Sequence, residues 1–310
     1  MNIYWKVGIV LKGLLVVNEF LHSNKFNEIH NWLLKSADKY GIEMVLRTNA
    51  QLLIDISAPS GEQLADFILF WDKDVKLAAY LERLGYPVYN CSRAIEICDD
   101  KALTHLTLMK QDIPMPRTII APMTFANIGY TNYDFLEEIV KRLGFPMVIK
   151  ECFGSFGQQV YLVHTLEETR ERMRVIGAKP VLFQEFLSTS FGRDIRLQVV
   201  GGKVIASMYR YSENGDFRAN LTIGGKMMPY ESTVKQKELA IRCCEIIGLD
   251  FAGVDLLYGE GEEPIVCEVN SNAHFKNIYD CTGVNAADAI MEHIRNKECE
   301  RNGCLDHLSS

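Results

Sequence analysis

Short apolar runs alternate with longer amphipathic segments along the first 90 residues. Gly13–Val17, Ile42–Thr48 and Ala65–Trp71 are typical of strands, whereas Asn27–Gly41 and Val75–Gly85 repeat their apolar residues at helical spacing and end at a glycine. Strands separated by helices indicate a parallel sheet with helices on its faces. The pattern therefore predicts a small α/β domain in this part of the chain.

Farther along, the chain keeps both kinds of element but becomes partly antiparallel. The segment DIRLQVVGGKVIASMYRYS is typical of a hairpin that turns at Gly201-Gly202. We predict helices over Asp99–Gln111, Tyr133–Gly144, Leu166–Gly177 and Lys235–Gly248, and strands over Arg117–Ala121, Phe145–Lys150, Val160–Val163, Pro180–Leu187, Phe251–Gly259 and Pro264–Asn270. The fold class is therefore α/β with antiparallel regions of the α+β kind.

Composition excludes several classes of protein. With 310 residues and 48% hydrophobic content, the chain is long enough for two ordinary domains. Its net charge of -7, without a basic stripe, argues against nucleic acid as a partner, and no apolar run is long enough to span a membrane. The nine cysteines form no CxxC pair, which fits the reducing cytoplasm. Lys12 interrupts the apolar stretch Val7–Val17, so we interpret this stretch as a first strand rather than as a signal peptide.

Three oxygen-bearing side chains stand out in the last two predicted strands. Glu268 and Asn270 lie two residues apart and so project from the same face of their strand, and Asp255 is alone in the apolar strand before it. A buried carboxylate needs a partner, because an unpaired charge is costly there. The partner is either an arginine or lysine side chain or a metal ion. Three oxygen ligands on neighbouring strands favour Mg²⁺ or Mn²⁺.

A phosphate-binding loop would complete such a metal site, because Mg²⁺ usually takes phosphate oxygens into its shell. The loop Gly154–Gln159 lies between two predicted strands, and its glycines allow backbone N–H groups to approach a phosphate. It is not a P-loop, since no Gly-Lys-Ser/Thr follows, and not a dinucleotide-binding fingerprint, since no helix opens from it. Lys150 closes the strand before the loop and either points at the same phosphates or is a solvated strand end.

Two further patterns have a plain alternative. Phe183–Leu187 ends a strand as a hinge would, with backbone groups that could pair with an adenine edge, but taken alone the motif favours Glu185 as a surface charge. Arg196, Arg210 and Arg218 lie on or beside the hairpin. Arginine suits phosphate or carboxylate groups, and it is also an ordinary solvated charge of a hairpin.

In chain order, these motifs resemble those of a known superfamily. The ordered set is Asp100-Lys101, Lys150, GSFGQQV, QEF, DIR, GDFRANLTIGG, GVDLL and EVN. The set is similar to the ATP-grasp superfamily and, within it, to the RimK-type amino-acid ligases, which are related to glutathione synthetases and to the ligases of lysine biosynthesis. The resemblance covers essentially the whole chain and is strongest from Cys98 to Asn277.

The resemblance implies a fold, a domain division and a reaction. An N-terminal pre-ATP-grasp domain would span residues 1–97, a central subdomain with a glycine-rich lid residues 98–187, and a C-terminal subdomain with the metal site residues 188–310. The family reaction is ATP-dependent ligation of a carboxylate to an amine. The carboxylate attacks the γ-phosphate to give an acyl-phosphate and ADP, and the amine then displaces phosphate to give an amide.

The resemblance also implies roles for individual residues. Lys101 and Lys150 would contact the nucleotide phosphates, and Asp255, Glu268 and Asn270 would hold Mg²⁺ or Mn²⁺. The other implied nucleotide contacts are Gly154, Ser155, Gly157, Gln184, Glu185, Phe186, Leu187, Asp194, Arg218 and Asn220. Arg196 and Arg218 are the implied catalytic groups.

The chain departs from the RimK pattern directly after EVN, where SNAHFKN replaces the expected small residues and glycine. We predict that Arg210, His274, Lys276 and Asn277 bind substrate. Lys276 is suited to a substrate carboxylate, with Arg210 as a second anchor. His274 either orients the amine or is a hydrogen-bonded neighbour of the site.

The expected enzyme is a cytoplasmic ligase that uses ATP and Mg²⁺ and adds an amino acid such as glutamate to a small molecule, a peptide or a protein. Neither nucleic acid nor a membrane is expected as a partner, and a homo-oligomer is. Two alternatives stay open: an ATP-grasp phosphotransferase that needs no amine, and a nucleotide-binding module without activity. The second alternative is disfavoured because both lysines and all three metal-ligand positions carry suitable residues.

Overall fold

The computed structural model describes residues 10–21, 23–58, 64–154 and 157–302, and the chain groups into two compact units. The first unit comprises the chain up to Ile95, the short segment His274–Lys276 and the chain from Asn285 onward. The second unit comprises Glu96–Ala273 and Asn277–Val284. The predicted ATP, metal and catalytic residues that the structure describes all belong to the second unit.

The described residues form strands and helices in mixed order. The strands are β1 (Leu11–Val17), β2 (Ile42–Thr48), β3 (Phe67–Phe70), β4 (Val88–Tyr89), β5 (Thr118–Ile120), β6 (Met147–Glu151), β7 (Val160–Val163), β8 (Val181–Glu185), β9 (Arg193–Val200), β10 (Lys203–Tyr211), β11 (Lys226–Pro229), β12 (Phe251–Tyr258) and β13 (Pro264–Asn270). The α-helices are α1 (Asn24–Lys39), α2 (Val75–Arg83), α3 (Ser92–Asp99), α4 (Lys101–Leu108), α5 (Phe135–Leu143), α6 (Leu166–Ile176), α7 (Val234–Ile247), α8 (Lys276–Thr282) and α9 (Ala286–Arg301).

The first unit is built on the predicted parallel sheet, whose strand order is β2-β1-β3-β4. Its core is apolar, with Val16, Ile68 and Phe70 fully buried. Helix α9 joins this unit because Asp288, in its first turn, accepts hydrogen bonds from Ser36 Oγ at 2.6 Å and Lys39 Nζ at 2.7 Å. The sequence division had assigned the whole of residues 188–310 to a C-terminal subdomain. The pairing of α9 with α1 joins segments about 250 residues apart, a relation that local pattern does not contain.

The second unit contains two antiparallel sheets. The first, in the order β5-β8-β6-β7, is covered by α5 and α6, whose apolar faces share a core with Ile149 and Phe183 of the sheet. The second, in the order β11-β10-β9-β12-β13, packs on α7, whose residues Cys243, Cys244 and Ile247 are buried. The predicted boundary at Leu187 falls between the two sheets.

The hairpin of β9 and β10 turns where the sequence predicts. Val200 pairs with Lys203, so the loop is the two residues Gly201-Gly202, with φ values of +55° and +72°. Two-residue hairpin loops of this kind need positive φ at both positions, and glycine adopts it without steric cost. The turn prediction is confirmed.

The helix predicted over Asp99–Gln111 is confirmed as α4, but it is shorter, Lys101–Leu108, and a separate helix, α3, ends at Asp99 just before it. The backbone of Asp100 is extended (φ -103°, ψ 109°), and its carboxylate accepts hydrogen bonds from the N–H groups of Ala102 and Leu103. An aspartate that caps free N–H groups in this way starts a new helix. Lys101 is consequently the first residue of α4.

Strand β11 and helices α3, α8 and α9 were not predicted from the sequence.

Within the described ranges, no helix is both long enough and apolar enough to cross a membrane.

Candidate active site

Charged side chains line one face of the five-stranded sheet. In the sheet register Arg210 lies opposite Asp194, Arg196 opposite Asp255, and Asp255 opposite Glu268. Directly opposed residues share a face, and so do residues two apart on one strand. The sheet therefore presents two arginines and three carboxylates side by side.

Four of these groups form a buried ion-pair network. Arg196 donates from Nε and Nη2 to the two carboxylate oxygens of Asp255, both at 2.6 Å. Arg210 donates to Asp194 at 2.6 and 2.9 Å, and its Nη2 lies 3.0 Å from Asp255 Oδ2. Burial alone would raise the pKa of Asp255, but the two guanidinium groups outweigh it and hold that pKa below its ordinary value. Asp255 is thus a carboxylate shared by two arginines, which is the cationic pairing that its sequence context left open.

A β-bulge shapes the neighbouring strand. Asp255 pairs with Glu268, but Leu256 pairs with Val266, so Cys267 is an extra residue in β13. A bulge of this kind re-aims side chains next to the irregularity. Both Cys267 and Glu268 line the cavity described below, although they are adjacent in sequence.

Lys101 and Lys150 bring positive charge to the same place. Lys101 Nζ donates to the carbonyl oxygen of Gly154 at 2.9 Å and lies 3.4 Å from Glu268 Oε1. Lys150 is buried, and its Nζ lies 3.6 Å from the Cys267 sulfur. Among the described residues the hydrogen-bond partner of Lys150 is this thiol, which compensates poorly for the burial of a lysine. Lys150 is therefore a cation that an anionic ligand would stabilise.

These groups surround a cavity of about 920 Å³, a volume that includes the space open to solvent at its mouth. The cavity lies wholly within the second unit. The predicted site residues that line it are Lys101, Lys150, Gly154, Gly157, Gln184, Glu185, Phe186, Leu187, Asp194, Arg210, Arg218, Asn220, Asp255 and Glu268. Residues predicted from segments far apart in sequence thus share one cavity.

The glycine-rich loop is tied to the GDFRAN segment. Arg218 donates from Nη1 to the carbonyl oxygen of Gly157 at 2.7 Å, while its Nε and Nη2 bind Asp216 at 3.0 and 2.9 Å. Gly157 has φ +72°, and a Cβ atom there would lie 2.6 Å from Asn220 Oδ1. Only glycine satisfies both conditions without a shift. Ser155, which was predicted to contact nucleotide, lies outside the described residues.

The predicted hinge forms the apolar end of the cavity. Phe186 contacts Phe217 edge to face, with ring centroids 6.2 Å apart. Glu185 is held by Arg117, which donates to it from the backbone N at 2.8 Å and from Nε at 3.0 Å. The surface-charge interpretation of Glu185 is therefore incomplete, because its carboxylate fastens β8 to β5.

Several predicted residues lie elsewhere. Among the residues described for the second unit, Arg196, Asn270 and Asn277 are outside the cavity lining, although Arg196 binds Asp255 within it. His274 and Lys276 belong to the first unit. There His274 Nε2 lies 3.3 Å from a carbonyl oxygen of α1, and Lys276 Nζ lies 3.9 Å from a glutamate of the same helix. Their substrate roles stay predictions.

One buried residue beside the cavity escaped the sequence interpretation. His105, on α4, lies one helical turn after Lys101, and Gln184 Nε2 is 2.7 Å from its Nε2 atom. Burial lowers the pKa of His105 to about 4, so the ring is neutral at physiological pH. The i, i+4 spacing of Lys101 and His105 was the available signal.

The donor set at β12 and β13 fits a magnesium ion. Mg²⁺ is usually held by one or two carboxylates together with phosphate oxygens. Asp255 has three nitrogen contacts, while two carboxylate oxygens offer about four lone-pair sites, so a site remains. Asn270 Nδ2 is buried and has no hydrogen-bond partner among the described residues. Turning this carboxamide would place its oxygen there, where a cation would satisfy it.

Comparison with known proteins agrees with this geometry. A family model described as the RimK-like ATP-grasp domain matches residues 98–294. The chain is 31% identical over 224 residues to beta-citrylglutamate synthase B of Danio rerio, a match that covers 72% of this chain and 54% of that protein. It is 32% identical over 244 residues to N-acetylaspartylglutamate synthase A of Homo sapiens, covering 77% of this chain and 61% of that protein. The chain therefore spans less than two thirds of the length of either relative.

A solved structure shares the fold. The RimK domain ATP-grasp protein of Sphaerobacter thermophilus superposes with a TM-score of 0.67 at 22% identity, over 91% of this chain and 98% of that one. The ATP-grasp fold expected from the motifs is thereby confirmed. Since the family model covers more than half of the residues, the chain belongs to the RimK-like ATP-grasp family.

Proposed function

We propose that this protein is an ATP-dependent ligase that joins a carboxylate to an amine through an acyl-phosphate. The observation that carries the proposal is the cavity, which combines the cations Lys101, Lys150 and Arg218 with the carboxylates Asp255 and Glu268. Cations alone would suit any anion. Cations placed beside carboxylates that still have lone pairs available suit a polyphosphate bound together with a divalent metal ion.

The nucleotide is proposed to lie with its base against Phe186, Leu187 and Phe217 and its phosphates toward Lys101 and Lys150. Phe186, Leu187 and Phe217 supply apolar contact for a purine. Lys101 and Lys150, which also line the cavity, supply ammonium groups for the phosphates. Asp255, Glu268 and Asn270 would hold Mg²⁺ or Mn²⁺, which neutralises phosphate charge when it is bound.

The residues of the chain perform three tasks in this reaction. Lys101 and Lys150 reduce the repulsion between the substrate carboxylate and the γ-phosphate, two anions that must come into contact. Arg210 and Arg196 keep Asp255 ionised and oriented through the buried network. The glycine-rich loop, which Arg218 holds through the carbonyl oxygen of Gly157, is suited to exclude water from the reactive acyl-phosphate.

An acidic amino acid is the proposed substrate class. The names of both curated relatives contain glutamate as a product component. Lys276 is the proposed anchor for the substrate carboxylate. Arg210 is a weaker candidate for this role than the sequence indicated, because it is 4% exposed and its Nε and Nη2 atoms already bind carboxylates.

The test is an ADP-release screen with ATP and Mg²⁺ over amino acids and small carboxylates, singly and in pairs, followed by mass spectrometry of the products. We expect ADP and phosphate only when a carboxylate and an amine are both present, and a product joined with loss of water. ADP release with a carboxylate alone and a phosphorylated product would identify a phosphotransferase. AMP and pyrophosphate would refute the acyl-phosphate route.

A further inference from the structure

A hydrogen-bonded chain behind the cavity fixes one lining side chain. Gln184 is 2% exposed and lines the cavity from the centre of the β5-β8-β6-β7 sheet. Its Nε2 atom lies 2.7 Å from His105 Nε2 and 2.9 Å from Thr118 Oγ1. In each contact, the donor can be identified from the other hydrogen bond that His105 or Thr118 makes.

The first contact has a defined direction because of the opposite ring nitrogen. His105 Nδ1 lies 2.8 Å from the carbonyl oxygen of Lys101. A carbonyl oxygen only accepts, so Nδ1 carries the hydrogen. The ring is neutral, because burial lowers the pKa of His105 to about 4. Nε2 is therefore a bare acceptor, and Gln184 must present an N–H group to it.

The second contact is directed in the same way. The hydroxyl of Thr118 donates its one hydrogen to the carbonyl oxygen of Pro116 at 2.8 Å. Toward Gln184 the hydroxyl oxygen can then only accept. The two independent acceptors, His105 and Thr118, thus take the two N–H bonds of the Gln184 carboxamide.

The carboxamide oxygen of Gln184 is left to accept a hydrogen bond from a ligand in the cavity. No described residue donates a hydrogen bond to Gln184 Oε1, and this oxygen is not fully buried. It is therefore a fixed acceptor with accessible surface. If the carboxamide were turned over, its oxygen would face two acceptor lone pairs and be repelled by both.

We propose that His105 and Thr118 are positioning residues that lock Gln184 with its oxygen toward the cavity, and that this oxygen selects a purine with an exocyclic amino group over a 6-oxo purine. The proposal rests on the nucleotide site of the proposed function and adds to it the origin of base selection. An amino group donates to Oε1. A 6-oxo group offers a second acceptor, so both oxygens would lose hydration without forming a bond.

The experiment compares binding of ADP and IDP with Mg²⁺, by isothermal titration calorimetry, because the two diphosphates differ at the purine 6-position and neither can donate a γ-phosphate. We expect the wild-type protein to prefer ADP by about 10-fold or more, since leaving a polar group unpaired costs about 1–3 kcal/mol. Gln184→Met should abolish most of this preference. His105→Leu combined with Thr118→Val should reduce it several-fold, because the carboxamide is then free to turn.

Two controls separate positioning from general damage. In His105→Gln, the side-chain oxygen can replace Nε2 as an acceptor, so this variant should keep most of the ADP preference. His164→Leu removes a histidine whose side chain is 61% exposed, and it should leave the preference unchanged. Equal weakening of ADP and IDP in the double variant, or an unchanged preference in Gln184→Met, would overturn the proposal.

The outcomes also distinguish this proposal from the proposed function. If Lys150→Ala weakens both diphosphates while the wild-type protein shows no preference between them, the nucleotide site stands and the selection by Gln184 is wrong. If neither Lys150→Ala nor Gln184→Met changes the binding of either diphosphate, the cavity is not the nucleotide site and both proposals fail.

Discussion

Replacing Arg210 with methionine should destabilise the second unit strongly. The guanidinium is 4% exposed and binds Asp194 at 2.6 and 2.9 Å and Asp255 at 3.0 Å. Without it, Asp194 keeps its burial but loses both hydrogen bonds. Breaking a buried ion pair from one side costs about 3–5 kcal/mol, because an uncompensated charge stays behind. We expect a loss of that size in the free energy of unfolding at neutral pH.

Urea unfolding can assign the loss to the correct unit. Of the three tryptophans in the chain, the two among the described residues, Trp32 and Trp71, belong to the first unit. Tryptophan fluorescence therefore follows that unit, whereas far-UV circular dichroism follows both. Arg210→Met should move the dichroism transition to lower urea by about 1–2.5 M, given slopes of about 2–3 kcal/mol/M.

Two companion variants define the cause of the loss. Arg174→Met removes an arginine whose side chain is 51% exposed and paired with Glu167 and Glu171, so it should cost less than about 1 kcal/mol. Arg210→Met combined with Asp194→Leu removes the stranded charge and should recover at least half of the loss. Equal transitions for Arg210→Met and Arg174→Met would refute the reasoning.

The pH dependence of the loss has a definite sign. In the wild-type protein the pKa of Asp255 is held below its ordinary value, mainly by Arg196 and Arg210 against the effect of burial. A carboxylate with a lowered pKa stabilises the fold above its unfolded pKa, and this contribution disappears as the pH falls through the folded pKa. In Arg210→Met the buried carboxylates protonate more readily, so the difference from the wild type should shrink in acid. A difference that grows in acid would contradict this account.

Three further predictions concern activity and binding. Glu268→Gln should lower Mg²⁺-dependent turnover at least about 100-fold and raise the Mg²⁺ concentration needed for half activity, because it removes a proposed ligand charge; near-normal turnover would contradict the metal assignment. Lys276→Ala should raise the KM for the acidic substrate and leave the KM for ATP nearly unchanged, and weakening of ATP alone would refute the anchor role. Gly157→Ala should weaken ADP binding more than Gly177→Ala, since both have φ +72° but an added Cβ meets Asn220 only at Gly157, and equal calorimetric affinities would argue against the clash.

Features encoded by neighbouring residues could be predicted from the sequence. The turn at Gly201-Gly202 follows from two residues that tolerate positive φ between two apolar strands. The parallel sheet of the first unit follows from strands that alternate with helices. Lys101 and Glu268 were recognised as site residues through the family motifs, and the cavity brings them within 3.4 Å of each other.

Features that depend on pairing across the chain could not be predicted in this way. The bulge at Cys267 is a property of the pairing of β13 with β12, and nothing within the strand PIVCEVN marks the extra residue. His105 can orient Gln184 only because β8 brings Gln184 to it, and Gln184 in turn contacts Thr118 of β5. Sequence periodicity treats such a histidine as one more residue of a helix.

Asp255 shows how the two interpretations of an isolated carboxylate can both hold. The sequence set a cationic partner against a metal ion, and the structure supplies two arginines. Those arginines keep Asp255 ionised in a buried place, and an ionised carboxylate is what a metal ligand must be. A lone buried aspartate would instead take up a proton and lose its affinity for a cation. The arginine pairing is therefore a condition for the proposed magnesium site and does not compete with it. It predicts that the loss of Arg196 or Arg210 weakens Mg²⁺ binding and also lowers the free energy of unfolding.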